Sequence, residues 1–466
     1  MSINKFLNSY TNKIIQRDLL DSMDSHRENM AVTVEEVDFS ELKNWSIDPG
    51  GNFIHDSGKF FRICGAKAIN KLTGELSYQP IIDQPEQGIL GITTRYKNDR
   101  LELLLQAKIE PGNLNKVQYS PTVQATKSNY TGAHKGKGVP YIRDFLPGSN
   151  KVCNRGFQSE HGYKFYRKAN DNVHVHDDDA ICIDGRFIWL SLSEIRFLLS
   201  REHCINMDTR SVLATMDFIG YSLTHDQIFN KVQNKKDLES DLLFSSLSEQ
   251  GAVHSLGSIT KWVFDSKANS AIQHTIMPLN YLSDKGWVKT KNKINSDKNK
   301  HFELVGIKAS IESREVSSWY QPIVRDNIPK IYAFLIKKIN GIMHVLVQMV
   351  EEDYSWSGPE LGPTFHSAET LQVIYNRLAN NKLTQKNYKI VYDKYQSEEG
   401  GRFLEQNNRY MLILADECTD INMGNNFRWM TLYQLKKMTK LECSVNIEAR
   451  TLLTVSSYFK EDDHVY

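Results

Sequence analysis

The sequence lacks three features that would each point to a particular class of protein: an excess of one charge, a long apolar run and closely spaced cysteines. Its 57 Lys and Arg residues nearly balance its 56 Asp and Glu residues, which leaves a formal net charge of +1 over 466 residues. This balance argues against a partner that is held mainly by charge. We therefore expect no nucleic acid and no membrane among its partners.

The apolar runs are all too short to cross a bilayer, and the N-terminal stretch MSINKFLNSYTNKIIQRDLLDSM has no continuous apolar core of the secretory type. The six cysteines lie far apart, at none of the spacings of zinc fingers, thioredoxins or iron–sulfur proteins. These absences predict a soluble, cytoplasmic chain whose thiols are reduced.

What the sequence does contain is a long internal repeat. The segment SYQPIIDQPEQGILG, which starts at Ser77, is echoed by WYQPIVRDNIPKIYA, which starts at Trp319. At one constant offset and without a gap, the matched pairs are Gln79 and Gln321, Gln106 and Gln348, Glu110 and Glu352, Pro121 and Pro363, and Thr122 and Thr364. A period this long indicates a duplicated domain rather than a solenoid of short units.

The repeat divides the chain into four predicted parts: an N-terminal extension at 1–36, a first domain at 37–215, a connector at 216–276 and a second domain at 277–466. Short apolar runs rich in β-branched residues predict strands in both copies, and each copy ends in a helical pattern. We therefore predict an α+β fold with two related domains. The connector is expected to hold an amphipathic helix at about Gln227–Leu247, and Asn340-Gly341 is expected to form a hairpin turn.

Polar side chains are most concentrated in the first copy. Gln106, Lys108 and Glu110 alternate along a predicted strand, so their side chains should share one face. Further polar residues follow: Asn113, Gln118, Ser120, Thr122, Gln124, Thr126 and Asn129, with Tyr130 and His134 beyond them. Many neutral donors and acceptors beside few charges are typical of a pocket for a polyhydroxylated ligand. The alternative interpretation is an ordinary polar sheet face with a loop rich in Ser and Thr.

The two copies share their framework but not all of their polar residues. Gln79, Gln106, Glu110 and Thr122 occur in both copies and are either structural or part of a shared binding feature. In contrast, Lys108, Tyr130 and His134 of the first copy are replaced in the second by Val350, Gln372 and Asn376. Residues peculiar to one copy are the better catalytic candidates. We therefore expect the working site to lie in the first copy.

At these residues the chain resembles the NDP-hexose 2,3-dehydratases, enzymes of deoxysugar biosynthesis. The motifs that carry the resemblance are YQPII-QPE-GILG from Tyr78, QAKIEPGN from Gln106, QYSPTVQATKSNYT-AHKG from Gln118 and REVSSWYQPIV from Arg314. The resemblance implies two tandem Nudix-like domains that arose by duplication, a homodimer, and two nucleotide-sugar pockets per subunit, one of which is the active site. One departure is that the second half reads QMVEEDYSWSGPE where the family usually keeps a copy of the QAKIEPG segment.

The resemblance also implies a reaction. The substrate would be dTDP-4-keto-6-deoxy-D-glucose, which would lose its C2 hydroxyl to give a 3,4-diketo-2,6-dideoxy sugar nucleotide for a ketoreductase or aminotransferase. Such an elimination needs a base at C3, a group that stabilises charge on the C4 oxygen and an acid for the departing hydroxide, but no cofactor. Lys108 suits the C4 oxygen, while Glu110, Tyr130 and His134 are candidates for base and acid.

The substrate-binding residues are then predicted to be Gln79, Gln106, Asn113, Gln118, Ser120, Thr122, Gln124, Thr126 and Asn129. Neither copy contains the glycine, Arg-Glu pair and adjacent glutamates of a Nudix metal box, so no metal is expected. A nucleotide-sugar binding or regulatory protein without catalysis is the alternative function. A relict hydrolase is a third possibility, against which the absence of the metal box weighs.

Overall fold

The computed structural model describes residues 3–11, 16–28, 31–130, 138–218, 232, 237–297, 302–311, 316–368 and 370–461. The strands of the first half are β1 (Val32–Val37), β2 (Trp45–Ile47), β3 (Phe53–His55), β4 (Arg62–Asn70), β5 (Leu76–Asp83), β6 (Gly88–Lys97), β7 (Arg100–Ile109), β8 (Val117–Pro121), β9 (Val123–Thr126), β10 (Val152–Ser159), β11 (Ala169–His176) and β12 (Phe187–Ser191). Those of the second half are β13 (Ile272–Met277), β14 (Trp287–Lys289), β15 (Lys293–Ser296), β16 (Phe302–Ile311), β17 (Ser318–Asp326), β18 (Ile331–Ile339), β19 (Ile342–Val350), β20 (Glu360–Gly362), β21 (Phe365–Ala368), β22 (Tyr388–Ser397), β23 (Asn407–Ala415) and β24 (Phe427–Met430).

The α-helices of the described residues are Ile3–Thr11, Gln16–Glu28, Lys127–Tyr130, Ile142–Phe145, Leu192–Leu199, Met207–Thr215, Leu238–Leu247, Leu256–Ala268, Leu371–Asn380, Leu432–Met438 and Ile447–Ser457, with 3-10 turns at Phe39–Glu41 and Leu279–Lys285. The fold therefore mixes helices and strands, as the α+β prediction requires. No helix in the described parts of the chain combines the length and the apolarity that crossing a bilayer takes.

Each half contains a seven-stranded sheet, and the two sheets have the same strand order. The first runs β10-β11-β6-β7-β12, with β8 paired to β7 and β9 to β6. The second runs β22-β23-β18-β19-β24, with β20 paired to β19 and β21 to β18. One pair in each sheet is parallel, β11 with β6 and β18 with β23, at the matching position. Asn340 and Gly341 join β18 to β19 with φ of 52° and 79°, which agrees with the predicted hairpin turn.

Two smaller five-stranded sheets exchange a strand between the halves. Strand β1 pairs with β16 of the second half, and β13 pairs with β4 of the first. The segment at 216–276 therefore contributes more than helices. Of the helix expected at about Gln227–Leu247, the structure has Leu238–Leu247, which begins after the capping residue Asp237, while residues 219–231 lie outside the described residues.

The halves also contact each other through reciprocal hydrogen bonds. The Gly112 N–H donates to the Gly400 carbonyl at 2.8 Å, and the Tyr354 N–H donates to the Gly162 carbonyl at 2.9 Å. Glycine is required in this loop, because a Cβ on Gly112 would overlap the carbonyl oxygen of Phe403. The close approach brings a loop of each half beside the end of β7 or β19 in the other.

Two buried arginines cross-link the same interface. Arg210 donates to the carbonyl of Ser397 at 2.6 Å, and Arg450 donates to the carbonyl of Ser159 at 2.5 Å. Both guanidinium side chains are completely buried, and each satisfies carbonyls of the opposite half. Because a buried charge is tolerated only when it is hydrogen-bonded, this pair fixes how the halves sit together.

Candidate active site

A cavity of about 420 Å³ lies between the two halves, and the first half forms most of it. This volume falls within the usual range for small-molecule sites. Its lining combines the end of β7, strand β9, an aromatic wall and two segments of the second half, at residues 316–321 and 399–402. The site therefore needs both halves of the chain.

Strand β7 directs three polar side chains into this cavity. Gln106, Lys108 and Glu110 all line it, as the alternation predicts. Lys108 Nζ lies 3.1 Å from Glu110 Oε1, and the two side chains are only 9% and 4% exposed. Gln124 Nε2 donates to the same Glu110 oxygen at 3.0 Å, and Asn206 Nδ2 donates to Gln124 Oε1 at 3.3 Å. The result is an ion pair that is buried and held in place by neutral amides.

Thr122, which lies between β8 and β9, joins strands β6 and β7. It lines the cavity, but its hydroxyl accepts from the Thr93 N–H at 2.9 Å and donates to the Leu104 carbonyl. Thr364 makes the matching bonds in the second half, to the Leu335 N–H at 2.9 Å and to a β19 carbonyl. The shared threonine thus cross-links strands in both sheets.

The structure places the remaining predicted residues in two groups. Thr126 and Asn129 line the cavity. Outside the lining are Gln79, which donates to the Tyr163 carbonyl, Asn113, which donates to the Lys116 carbonyl, Gln118, which contacts Asn115 and Ser397, and Ser120 and Tyr130. His134 lies outside the described residues. The predicted polar residues on β8 and β9 are separated because β8 pairs with β7 while β9 pairs with β6. The two strands therefore face different neighbours.

Three further acids that sequence reasoning did not find line the cavity: Glu86, Asp208 and Glu399. Asp208 comes from the helix Met207–Thr215, and Glu399 comes from the second half. Burial raises the pKa of Glu399 to about 7, helped by the negative charges of Glu160 and Glu110. Burial also raises the pKa of Asp208 well above its usual range, with Glu399 as the largest charge effect. Both carboxyl groups therefore carry a proton more readily than an exposed acid.

The internal repeat places Asp208 and Glu399 close to residues that match between the two copies. The repeat continues beyond the five pairs given above, with Gly162 matching Gly400 and Asn206 matching Asn446. Glu399 precedes Gly400 as His161 precedes Gly162, and Asp208 follows Asn206 as Glu448 follows Asn446. Comparing the neighbours of matched structural residues would have found both positions.

Basic residues complete the charge balance. Lys168 and Arg402 line the cavity, and burial lowers the pKa of Lys168 to about 8. Arg402 donates to Gln84 at 3.2 Å and lies 4.1 Å from the centre of the Phe61 ring. Lys59 and Arg186 add two more cations to the lining, and Arg186 is paired with Asp184 at 2.7 Å. The cavity can therefore take an anionic ligand while keeping a protonated acid in its interior.

Aromatic side chains form one wall. Trp45 and Phe61 lie 5.0 Å apart between ring centres, and the Trp45 indole donates to the Tyr320 carbonyl at 2.7 Å. Trp319 and Tyr320 of the second half also line the cavity, whereas Tyr78 does not. Such a wall offers flat apolar surfaces to a ring-shaped group.

Comparison with known proteins identifies the family. The model of the family described as NDP-hexose 2,3-dehydratase matches residues 16–216 and 256–455. The chain belongs to the NDP-hexose 2,3-dehydratase family. The resemblance that the motifs indicated is thereby confirmed.

Three relatives of this family carry the name dTDP-4-dehydro-6-deoxy-alpha-D-glucopyranose 2,3-dehydratase. The protein from Saccharopolyspora spinosa is 35% identical over 427 residues, which is 90% of this chain and 86% of the relative. The one from Amycolatopsis orientalis is 34% identical and covers 90% and 85%. The one from Streptomyces violaceoruber is 33% identical and covers 89% and 90%.

Solved structures give a partial likeness. Two structures of the C. elegans Ap4A hydrolase, one of them a binary complex, align with 28% of this chain and with 98% and 96% of their own chains. Their sequence identities are 16% and 17%, and their TM-scores are 0.20 and 0.19.

Proposed function

We propose that this protein is a sugar-nucleotide 2,3-dehydratase that removes the C2 hydroxyl of dTDP-4-keto-6-deoxy-D-glucose. The observation that carries the proposal is the match, over about nine-tenths of the chain, to three relatives with this named activity. The cavity supports it, because it combines acids, cations and neutral hydrogen-bonding groups in one place.

The chemistry follows from the ketone at C4. That ketone acidifies the proton on C3, so a base can take this proton and leave an enolate on the C4 oxygen. The enolate then expels the C2 hydroxyl, which leaves as water once an acid has protonated it. The resulting enol takes up a proton at C2 and becomes the 3,4-diketone, so the net change is the loss of one water.

We assign the roles from the charges of the cavity. Lys108 is proposed to stabilise the C4 enolate, because its ammonium is fixed and shielded from water. Glu110, which is paired with this cation, is proposed as the base at C3. Glu399, whose pKa is about 7, is proposed as the acid for the leaving hydroxide. A carboxylate that is paired with a cation and a carboxyl group whose pKa is raised suit a base and an acid respectively.

The other walls are proposed to hold the nucleotide. Trp45, Trp319 and Tyr320 would pack against the thymine, and Lys59 and Arg186 would neutralise the diphosphate. Gln106, Gln124, Thr126 and Asn129 supply neutral hydrogen bonds for the sugar hydroxyls.

The domain arrangement is a further part of the proposal. Two Nudix-like domains, at 37–215 and 277–466, would derive from one ancestor, with 1–36 as an extension and 216–276 as a connector. The identical strand orders and the reciprocal bonds between the halves support this. A homodimer and transfer of the product to a ketoreductase or aminotransferase stay predictions.

The proposal is tested by incubating the purified protein with dTDP-4-keto-6-deoxyglucose and following the sugar nucleotide by mass spectrometry. We expect loss of one water by the wild type and little or none by Glu110→Gln. Glu303→Gln is the matched control, because Glu303 is also a buried glutamate paired with a lysine but lies outside the cavity lining. Saturable binding without loss of water from the wild type would instead favour the binding-protein alternative.

A further inference from the structure

The second half holds a compact group of donor atoms at the positions that match Glu110, Gln124 and Asp208 of the first cavity. Glu352 follows β19, His366 lies on β21 and Glu448 lies on the helix Ile447–Ser457. One atom from each side chain lies within 4.8 Å of the others. His366 Nε2 is 3.8 Å from Glu352 Oε1 and 3.8 Å from Glu448 Oε2.

Residues of the first half hydrogen-bond the second oxygen of the Glu352 and Glu448 carboxylates, the one that does not face His366. The Gly162 N–H donates to Glu352 Oε2 at 2.7 Å. His161 Nδ1 lies 2.9 Å from Glu448 Oε1, and its Nε2 lies 3.0 Å from Glu398 Oε2. The loop at 161–162 therefore orients each carboxylate and leaves the remaining oxygen directed at His366. Outer hydrogen bonds of this kind are what position the direct ligands in metal centres.

Two of the converging atoms are buried without a hydrogen bond. Glu448 Oε2 and His366 Nε2 are inaccessible and have no hydrogen-bond partner. The 3.8 Å between them exceeds hydrogen-bond length. Glu448 is completely buried, so an unsatisfied oxygen on its carboxylate is costly. A group placed between the three side chains would satisfy them together.

The charges of this cleft also differ from those of the active-site cavity. There, Lys108 and Lys168 lie among the acids, but the matching positions of the second half hold Val350 and Gln406. Burial raises the pKa of Glu352 to about 7, with the negative charge of Glu448 as the next cause. The second cleft has therefore kept acids at the positions of Glu110 and Asp208, has His161 at the position of Glu399, and has lost the two lysines.

We propose that Glu352, His366 and Glu448 bind one divalent transition-metal ion of the Zn²⁺ or Mn²⁺ type. One imidazole with two carboxylates suits these ions, whereas Mg²⁺ and Ca²⁺ prefer oxygen alone. Ligand atoms about 2.1 Å from a tetrahedral ion lie roughly 3.4 Å apart, so each 3.8 Å separation from His366 Nε2 needs to close by about 0.4 Å. The Glu352 and His366 side chains are each 14% exposed, which gives the ion a way in.

This site would cross-link the halves, since the loop of the first half holds its ligands. It goes beyond the proposed dehydration, which uses the other cavity and has no step that needs a metal. The competing interpretation is an imidazolium at His366 that balances the two carboxylates without an ion. Burial opposes that charge, but Glu448 and Glu352 raise the pKa of His366.

The test is a Co²⁺ titration of full-length protein that has been treated with chelator and dialysed, followed by the visible absorption of the bound ion and by thermal unfolding. We expect one ion per chain, a higher melting temperature and displacement by Zn²⁺. His366→Gln puts in the residue that the first half has at Gln124, and it should weaken binding at least about 100-fold, because loss of an outer contact alone costs 10- to 100-fold.

His176→Gln is the control, since His176 lies beside Asp178 on the surface of the first half and should bind as the wild type does. Should His366→Gln fail to fold, Glu352→Gln takes its place. A wild type without stoichiometric binding would overturn the proposal in favour of the imidazolium. Unchanged affinity in a folded His366→Gln or Glu352→Gln variant would also overturn it.

Discussion

Replacing Lys108 by methionine removes a buried cation while nearly keeping the length of the side chain. Its Nζ lies 3.1 Å from Glu110 Oε1, with both side chains under a tenth exposed. At an effective dielectric constant of about 20, unit charges at this distance attract each other by roughly 5 kcal/mol. Much of this attraction offsets the cost of burying the two charges, so the pair need not add net stability. Its removal nevertheless leaves a buried carboxylate without its cation, which typically costs about 3–5 kcal/mol of folding free energy.

The effect on catalysis is separate from this loss of stability. Loss of one donor to a developing oxyanion costs about 2.7–4 kcal/mol, so Lys108→Met should lower kcat about 100- to 1000-fold. KM should change less, because the charge on C4 develops only after binding. The assay is steady-state loss of water at a temperature well below the unfolding midpoint of the variant.

The control for this experiment is Lys436→Met, which removes a buried lysine from the helix Leu432–Met438 and should leave kcat unchanged. A folded Lys108→Met variant whose kcat stays within about threefold of the wild type would refute the oxyanion role. Equal losses of kcat in both variants would attribute the effect to general destabilisation.

Three other predictions concern the acid and the framework. If Glu399 is the acid, kcat should fall as the pH rises through about 7, because this carboxyl group then loses its proton. Glu399→Gln should lower kcat and remove this fall at high pH. Thr122→Val and Thr364→Val should each lower the free energy of unfolding by about 1–3 kcal/mol in urea, because each hydroxyl bridges two buried strands; a loss confined to Thr122→Val would contradict a shared structural role. Gly112→Ala should lower the melting temperature by forcing the halves apart, whereas Gly185→Ala, which has open space around it, should not.

The part of the site that the sequence predicts is the part that depends on local geometry. Alternation along a strand is a property of the backbone, so Gln106, Lys108 and Glu110 could be placed on one face without any knowledge of the tertiary structure. The family resemblance could likewise be read from continuous motifs. The strand order of the two large sheets was not predicted, but it is the same in both halves, as related domains would require.

Contacts between segments that are distant in the chain could not be predicted from local sequence patterns. Glu399 and Arg402 reach the cavity from the second half because of the close approach at Gly112 and Gly400. The exchange of β1 and β13 between the small sheets has no local signal either, because an edge strand reads the same whichever sheet it joins. Gln118 shows the same effect from the other side, since its amide oxygen accepts from the Ser397 hydroxyl of the second half and its side chain lies outside the cavity lining.

Elimination in the cavity with Lys108 and Glu110 can be followed with dTDP-4-keto-6-deoxyglucose that carries deuterium at C3. The wild type should release the deuterium as it loses water, with a primary isotope effect if proton removal limits the rate. Glu110→Gln should bind the substrate, but the bound sugar should keep its deuterium at C3 and its hydroxyl at C2. Release of deuterium and water by folded Glu110→Gln at the wild-type rate would mean that Glu110 is not the base.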